Sequence, residues 1–286
     1  LAPYGEPKYI DIIKKKLIKI YEDGSFHLNL SYFSFPTGLK MTNKKFDSLF
    51  EGPPRSSEIN LTQRDMDIAA SVQKVTEEIV IKMAMHIKKI SKEKNLCLAG
   101  GVALNCVANG ILYKKNIFEN IWIQPAAGDA GGSLGAALAI WHQYYSKKRN
   151  LDSNKDSMNG AYLGPKFTDY EIESALNEVG AKFIKYSEFD MIDKVTDFLI
   201  NEKAIGWMQG RMEFGPRALG SRSIIADPRS PKMQKQLNLK VKFRESFRPF
   251  APSILKEDVN EWFEFDSESP YMLFVSNIKK NKQKNI

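Results

Sequence analysis

The 286-residue sequence has little cysteine, and its two thiols restrict the class of protein. Cys97 and Cys106 both lie in apolar surroundings, so we interpret them as buried free thiols and not as a disulfide or a metal-binding pair. Unpaired cysteines are typical of reducing compartments. The sequence therefore predicts a cytoplasmic protein.

Long apolar runs and a leader peptide are also missing. No stretch approaches the roughly 18 uninterrupted apolar residues that predict a transmembrane helix, so we expect no membrane partner. The first residues, Leu-Ala-Pro-Tyr-Gly, lack an initiator methionine and the basic and apolar regions of a signal peptide. They are typical of a loop, which favours a cut or selected segment over a natural start.

Arginine is the scarce basic residue, since lysine supplies 33 of the 42 positive side chains. The lysines follow predicted helices beside acidic residues, as solvated faces do, so the net charge of +8 does not by itself predict a nucleic-acid partner. Six of the nine arginines are concentrated in one short region: Arg211, Arg217, Arg222, Arg229, Arg244 and Arg248.

Arginine presents a planar, permanently charged fork that binds phosphate or carboxylate through two hydrogen bonds. The concentration of arginine therefore favours a small anionic ligand, with Glu213 orienting a neighbouring guanidinium. Two alternatives stay open from the residues alone. The arginines could form surface ion pairs, or they could bind RNA, with Phe214, Phe243 and Phe247 stacking on bases.

Hydrophobic periodicity predicts a mixed α/β chain without an internal repeat. Thr62 with Asp65, and Thr168 with Glu171, have the spacing of capping boxes that start helices. Helices are predicted over 10–20, 63–90, 102–115, 133–147, 169–179 and 190–202. Strands are predicted over 26–33, 96–99, 121–124, 182–185, 204–209 and 223–226. Lys242 and Arg244 are two residues apart, so they would lie on one face if residues 241–249 were extended.

A polar stretch divides the sequence into two predicted domains. Residues 149–160 have almost no apolar content, and we place a linker at 151–158 between a domain over 1–150 and a second domain over 159–286.

Two glycine-rich loops follow predicted strands of the first domain. Residues 98–105 read LAGGVALN and residues 128–133 read GDAGGS, each leading into a helix. Glycines at such junctions let a nucleotide approach the backbone, and the helix that follows presents N–H groups to phosphate. Tight helix–strand packing would also explain the glycines. An acidic residue in such a loop, here Asp129, is typical of a carboxylate that reaches a phosphate-bridging metal. The alternative role for Asp129 is to cap the helix that follows.

The strings GGVALN and QPAAGDAGGSLGAAL, with LAPYG at the start and GPPR at 52–55, resemble motifs of the NodU/CmcH carbamoyltransferases. The resemblance implies an actin/hexokinase-like (ASKHA) ATP-binding domain, of which 1–150 is the C-terminal part. It implies nucleotide contacts from Gly100, Gly101, Asn105, Gly128, Gly131 and Gly132. Asp129 would lie at the phosphates and a divalent metal, Fe²⁺ or Mg²⁺. His27, His86 and His142 do not match the family's metal-binding histidine motif, so no histidine site is assigned.

GRMEFGPRALGSRSIIADPR and VKFRESFRPFAPSIL resemble the family's C-terminal YrdC-like α/β domain, whose N-terminal part would be 159–286. That domain is implied to convert carbamoyl phosphate and ATP to carbamoyl adenylate, and the first domain to pass the carbamoyl group to a small-molecule hydroxyl acceptor. The implied contacts for carbamoyl phosphate and adenylate are Arg211, Arg217, Arg222, Lys242, Arg244 and Arg248.

The family pattern continues beyond both ends, so we expect these residues alone to be inactive. A tRNA threonylcarbamoyl-type transferase and a non-enzymatic RNA-binding module are the alternative functions. We expect no nucleic-acid partner under the leading hypothesis, and a homodimer is an assembly to test.

Overall fold

The structure, a computed structural model, describes residues 1–56, 60–150 and 156–283. Contacts divide the chain into two compact units. Unit 1 comprises Leu1–Leu96 and Val107–Ile121, and unit 2 comprises Cys97–Cys106 and Trp122–Ile286. Both contain helices and short strands, which confirms the α/β class. Most of the predicted linker, 151–155, lies outside the described residues, and the division of the sequence at 150 stays a prediction.

The described residues contain six strands, in three two-stranded pairs. The strands are β1 (Ile18–Ile20), β2 (Phe26–Leu28), β3 (Asn95–Leu98), β4 (Asn120–Ile123), β5 (Ile205–Met208) and β6 (Arg222–Ile225). The α-helices are α1 (Ile10–Ile12), α2 (Lys44–Leu49), α3 (Gln63–Ser91), α4 (Cys106–Lys114), α5 (Ala130–Ala139), α6 (Asp169–Glu178), α7 (Glu188–Ile200), α8 (Met233–Gln236) and α9 (Val259–Trp262).

The helix starts agree with the local capping signals. The Thr62 hydroxyl accepts from the Asp65 N–H while the Asp65 carboxylate accepts from the Thr62 N–H, and this capping box begins α3. The same reciprocal pair joins Thr168 and Glu171 at the start of α6. Both capping-box predictions are confirmed. Ser187 caps α7 by accepting from the Asp190 N–H.

In unit 1 the LAPYG segment docks on α3 through a buried carboxylate. Asp67 accepts from the Glu6 N–H at 2.8 Å and from the Gln63 amide at 2.7 Å, and its second oxygen pairs with Lys8 at 2.6 Å. One turn further along α3, the Ser71 hydroxyl accepts from the Tyr9 N–H at 3.0 Å. The nearby apolar core of this unit consists of Ile13, Leu17, Ile18, Phe50 and Val75.

Unit 2 contains the strands and loops that carry the candidate site. β5 and β6 are antiparallel, with Met208 opposite Arg222 and Ile205 opposite Ile225. The Leu98 carbonyl accepts from the Gln124 N–H at 3.1 Å, so the glycine loops begin side by side where β3 and β4 end. Strand, glycine loop and helix therefore follow one another twice, as predicted.

Several predicted elements have bounds that differ from the prediction, through strand pairing or local capping. The predicted helix over 10–20 ends at Leu17, because Ile18–Ile20 pairs with β2. The predicted strand over 26–33 ends at Leu28, where the Asn29 side chain accepts from Ser31 and starts a 3₁₀ turn, Leu30–Tyr32. The helix predicted over 133–147 begins earlier, as α5, and ends in a π-helical turn, Ile140–Tyr144.

Two predictions about local structure are wrong. The 182–185 segment forms no strand, since none of the described strands pairs with it and Ile184 stays exposed. Cys97 is exposed and Cys106 half-buried, although both are free thiols. Cys97 lies on the outward face of β3, where alternation places every second side chain in solvent.

No helix within the described residues combines the length and apolar character needed to span a membrane.

The Gly5→Ala substitution should destabilise unit 1. A Cβ at this position would lie 2.0 Å from the Met66 carbonyl oxygen, and a helix backbone atom cannot move aside cheaply. We expect a loss of about 1–3 kcal/mol in the free energy of unfolding, measured by urea denaturation. Gly135→Ala in α5, where a Cβ meets open space, is the control. It should be neutral or stabilising by up to about 1 kcal/mol, and equal effects of both substitutions would contradict the packing argument.

Asp67 should make unit 1 sensitive to acid. The Lys8 ammonium, the Glu6 N–H and the Gln63 amide hold the pKa of Asp67 at about 2, below its usual 3.8. A lowered folded-state pKa adds stability that is complete above pH 3.8 and disappears as the pH falls through about 2. In acid–urea titrations, wild type and Asp67→Asn should differ at neutral pH and converge across this window. A constant difference would show that the carboxylate charge is not the cause.

Candidate functional site

The two glycine loops are joined by a backbone hydrogen bond within unit 2. The Gly100 N–H donates to the Ala127 carbonyl at 2.8 Å. Gly100 itself has φ +97°, a conformation that side chains with a Cβ rarely adopt. The link fixes the start of the second loop against the first.

The glycines serve different purposes. A Cβ at Gly101 or Gly132 would meet open space, so these positions leave the backbone accessible to a ligand. A Cβ at Gly131 would lie 2.1 Å from the Ala126 carbonyl oxygen, so this glycine is needed for tight packing. At Gly128 a Cβ would make only an ordinary contact with Leu104. The packing alternative thus accounts for Gly131 and leaves the other loop positions unexplained by packing.

Asp129 occupies the N-cap position of α5 with an exposed side chain that makes no capping hydrogen bond. Capping therefore does not account for this carboxylate. Asn105 is half-buried just after the 3₁₀ turn Gly101–Leu104, with its N–H donating to the Val102 carbonyl. Among the described residues, no group of three or more His, Cys, Asp or Glu side chains is arranged to hold a metal ion.

The loop between β5 and β6, residues 209–221, carries Arg211 and Arg217, and we name it the arginine loop. Glu213 organises this loop from inside. It is 8% exposed, and its Oε1 accepts from the N–H groups of Leu219, Ser221 and Arg222 at 2.7, 2.8 and 3.2 Å.

Burial raises the pKa of Glu213, but the backbone donors outweigh burial and keep the pKa below its ordinary value. The carboxylate therefore stays charged and fixes the loop backbone. The expectation that Glu213 orients a guanidinium is wrong, because its hydrogen bonds go to the backbone.

Within unit 2, the arginine loop contacts the first glycine loop and the segment just before the second. Arg217 Nη2 donates to the Leu104 carbonyl of the first loop at 3.1 Å, while its Nε is buried without an acceptor among the described residues. At Gly215, φ +132°, a Cβ would lie 3.2 Å from the Pro125 carbonyl at the start of the second loop. Residues from both predicted domains are therefore in direct contact.

The other two arginines of this group hold carbonyl groups. Arg222 donates to the carbonyls of Gln209, Ser221 and Gly210 at 3.2, 2.7 and 3.3 Å. Arg211 donates through Nη1 to the Gly164 carbonyl at 3.0 Å and is otherwise exposed.

The second predicted group, Lys242, Arg244 and Arg248, is arranged by the fully buried Asn238. Its amide donates to the carbonyls of Ser246 and Arg248, and its oxygen accepts from Arg244 Nε at 2.6 Å. The Arg244 guanidinium also lies 5.0 Å from the centre of the Phe250 ring.

This segment is not extended, so the condition for a shared strand face of Lys242 and Arg244 is not met. Lys242 has helical backbone angles and Phe243 has φ +49°, since Asn238 bends the chain back toward its own turn. Lys242 and Arg244 are therefore not on one face of a strand.

Surface ion pairing accounts for two of the six clustered arginines. Arg229 pairs with Asp227 at 2.5 Å, and Arg248 pairs with Glu245 at 2.9 Å. The other four donate to carbonyl or amide oxygens, with no acidic partner among the described residues.

A cleft of about 490 Å³ opens beside the arginine loop. Its lining consists of Tyr162, Lys166, Gln209, Gly210, Arg211, Gly220 and Ser221. Of these residues, only Arg211 was predicted from the sequence as a site residue. The Gly164-Pro165 pair marks a turn just before Lys166, but a turn signal does not indicate which loop it meets.

Two family models match the chain. The model described as "Carbamoyltransferase N-terminus" matches residues 1–138, and "Carbamoyltransferase C-terminus" matches residues 196–286. The chain therefore has the two-part organisation of carbamoyltransferases. It belongs to the NodU-type carbamoyltransferase family, as the resemblance predicted.

The relatives include nodulation proteins. The chain is 38% identical to nodulation protein NolNO of Sinorhizobium fredii, over 99% of this chain and 40% of NolNO. It is 36% identical to nodulation protein NolO of Bradyrhizobium diazoefficiens, over 99% of this chain and 49% of NolO. An uncharacterized protein of Synechocystis sp. is 56% identical over 98% of this chain and 46% of its own length. The chain thus spans less than half the length of these relatives.

Glu213→Ala should loosen the arginine loop. It would leave three N–H groups without their acceptor, and a buried unsatisfied donor costs about 1–3 kcal/mol. We expect a loss of roughly 2–3 kcal/mol in unfolding free energy and faster amide hydrogen exchange at Leu219 and Ser221. Glu213→Gln, which keeps an acceptor oxygen, should lose less, and Glu178→Ala on exposed α6 should change neither. Unchanged exchange in Glu213→Ala would refute the organising role.

Proposed function

We propose that this chain provides parts of both active sites of an ATP-dependent O-carbamoyltransferase. The contact of the arginine loop with the first glycine loop, and with Pro125 just before the second, carries the proposal. It brings an arginine-rich segment of the carboxyl-terminal family match onto nucleotide-type loops of the amino-terminal match. An ASKHA-type ATP fold and a YrdC-like fold for the two parts belong to the same proposal.

The glycine loops would bind a nucleotide in the first part. Gly100, Gly101 and Gly132 leave the backbone open, and Asp129 has a carboxylate that is not used for capping. Mg²⁺ is usually held by one or two carboxylates together with substrate phosphates, and a single Asp129 fits that arrangement. When bound, the ion would neutralise phosphate charge. An Fe²⁺ site of several protein ligands has no counterpart among the described residues.

Carbamoyl adenylate would form in the second part. Water first releases inorganic phosphate from carbamoyl phosphate and leaves carbamate. A carbamate oxygen then attacks the α-phosphorus of ATP, and pyrophosphate departs. Two anionic reactants repel each other, so fixed cations are needed to bring them together. Arg211, Lys242 and Arg244 are the candidates for this neutralisation.

Transfer would follow on the acceptor. A hydroxyl oxygen attacks the carbamoyl carbon, AMP leaves, and the hydroxyl proton passes to a base. The buried Nε of Arg217, which has no acceptor among the described residues, would gain one from a bound phosphate or carbonyl oxygen at the boundary of the two loops.

Pyrophosphate exchange tests the adenylation step without knowledge of the acceptor. The natural polypeptide that contains this chain should incorporate labelled pyrophosphate into ATP only when carbamoyl phosphate is present. Lys242→Met should reduce the rate by about 10- to 100-fold, the usual effect of losing a charged contact. Lys240→Met, an exposed lysine two residues earlier, is the matched control.

The 286 residues alone should show no exchange and no carbamoyl transfer. Two results would overturn the proposed function. One is pyrophosphate exchange that does not depend on carbamoyl phosphate, and the other is the absence of any exchange in the natural polypeptide.

A further inference from the structure

The cleft receives two of its lining residues from a part of the chain that neither family model matches. The two matches end at 138 and begin again at 196, and Tyr162 and Lys166 lie between them. We name residues 160–166 the strap. It contributes to a site whose remaining lining comes from the arginine loop.

The strap is fixed to the arginine loop by five hydrogen bonds. The Phe214 N–H donates to the Ala161 carbonyl at 2.7 Å, and the Tyr162 hydroxyl donates to the Leu219 carbonyl at 2.6 Å. The Gly164 N–H donates to the Met212 carbonyl, and the Met212 N–H returns to the Pro165 carbonyl, at 2.9 and 3.0 Å. The bond from Arg211 Nη1 to the Gly164 carbonyl, at 3.0 Å, is the fifth. Lys166 therefore follows directly after a segment anchored beside Arg211.

Two glycines make this fit possible. A Cβ at Gly164 would lie 2.8 Å from the Met212 carbonyl oxygen, so any side chain there would push the strap away from the arginine loop. Gly160 has φ +70°, and a Cβ there would lie 2.8 Å from the Tyr162 ring. The position of the Tyr162 ring at the cleft wall therefore depends on Gly160.

The cleft concentrates positive charge. Lys166 and Arg211 both line it, and none of its seven lining residues is acidic. Within the described part of the chain, Lys166 has no hydrogen-bond or ion-pair partner, and Arg211 uses only Nη1. Two like charges in one cleft repel each other, and an anion bound between them would relieve that repulsion.

We propose that Lys166 and Arg211 form a phosphate-binding pair in this cleft, which takes the phosphate of carbamoyl phosphate or of ATP. The inference rests on the proposed function and adds to it a binding residue outside both family matches. A cleft of about 490 Å³ is within the size range of small-ligand sites, roughly 300–1,000 Å³. The fork of Arg211 and the single ammonium of Lys166 both offer donors to the cleft that they line.

The test is calorimetric titration of the natural polypeptide that contains this chain, with inorganic phosphate, carbamoyl phosphate and ATP as separate probes. Lys166→Gln should weaken the probe that binds in the cleft by about 10-fold or more, as expected for loss of a charged hydrogen bond. Lys166→Arg, which keeps the charge, should restore most of the affinity. Lys182→Gln removes an exposed lysine that is also outside both family matches and should bind like wild type.

The arms distinguish the source of the phosphate. Weaker binding of inorganic phosphate and carbamoyl phosphate, with ATP unchanged, assigns the cleft to carbamoyl phosphate, and the reverse assigns it to ATP. Gly164→Ala should reproduce the loss with both cations still in the sequence. Circular dichroism confirms that each variant is folded.

Unchanged affinity for all three probes in Lys166→Gln would overturn the inference. If pyrophosphate exchange also persists in Lys166→Gln, the proposed function stands and only the phosphate-binding pair is rejected. If the wild-type polypeptide neither binds any probe nor catalyses exchange, both the phosphate-binding pair and the proposed function would be overturned.

Discussion

The candidate site depends on one buried carboxylate. Glu213 accepts from the N–H groups of Leu219 and Ser221 in the arginine loop and of Arg222 at the start of β6. Because those donors keep the carboxylate ionised, the loop is held by charge-assisted hydrogen bonds, which are stronger than neutral ones. The backbone positions of Leu219, Ser221 and Arg222 follow from this arrangement.

Around that carboxylate, guanidinium groups bind backbone carbonyls more than they bind acids. Arg222 spans three carbonyls and Arg217 reaches into the first glycine loop. A lysine has three donors, but all are on one nitrogen, whereas the guanidinium spreads its five over a planar fork. The preference for arginine in this region therefore has a structural cause as well as the ligand-binding cause proposed from the sequence. Arg211, which keeps free donors at a cleft, is the residue for which the ligand explanation is strongest.

What the sequence predicted well was local. Capping boxes and the strand–glycine loop–helix order depend on neighbours within a few residues, and these were confirmed. Segment 182–185 has the composition of a strand but no partner strand among the described residues, and pairing cannot be inferred from composition. The bend at Phe243 depends on Asn238, and the place of Lys166 depends on Met212. Such distant contacts leave no periodic signal. The nucleotide, metal and arginine contacts implied by resemblance stay predictions.

The bond between Arg217 and Leu104 also has a consequence for how the chain acquires its structure. It closes a loop of 113 residues, and contacts of such separation form slowly because the entropy of loop closure must be lost before the contact stabilises the chain. During synthesis the first glycine loop leaves the ribosome long before its partner arginine exists. The first glycine loop therefore lacks its Arg217 contact until about 113 further residues have been synthesised.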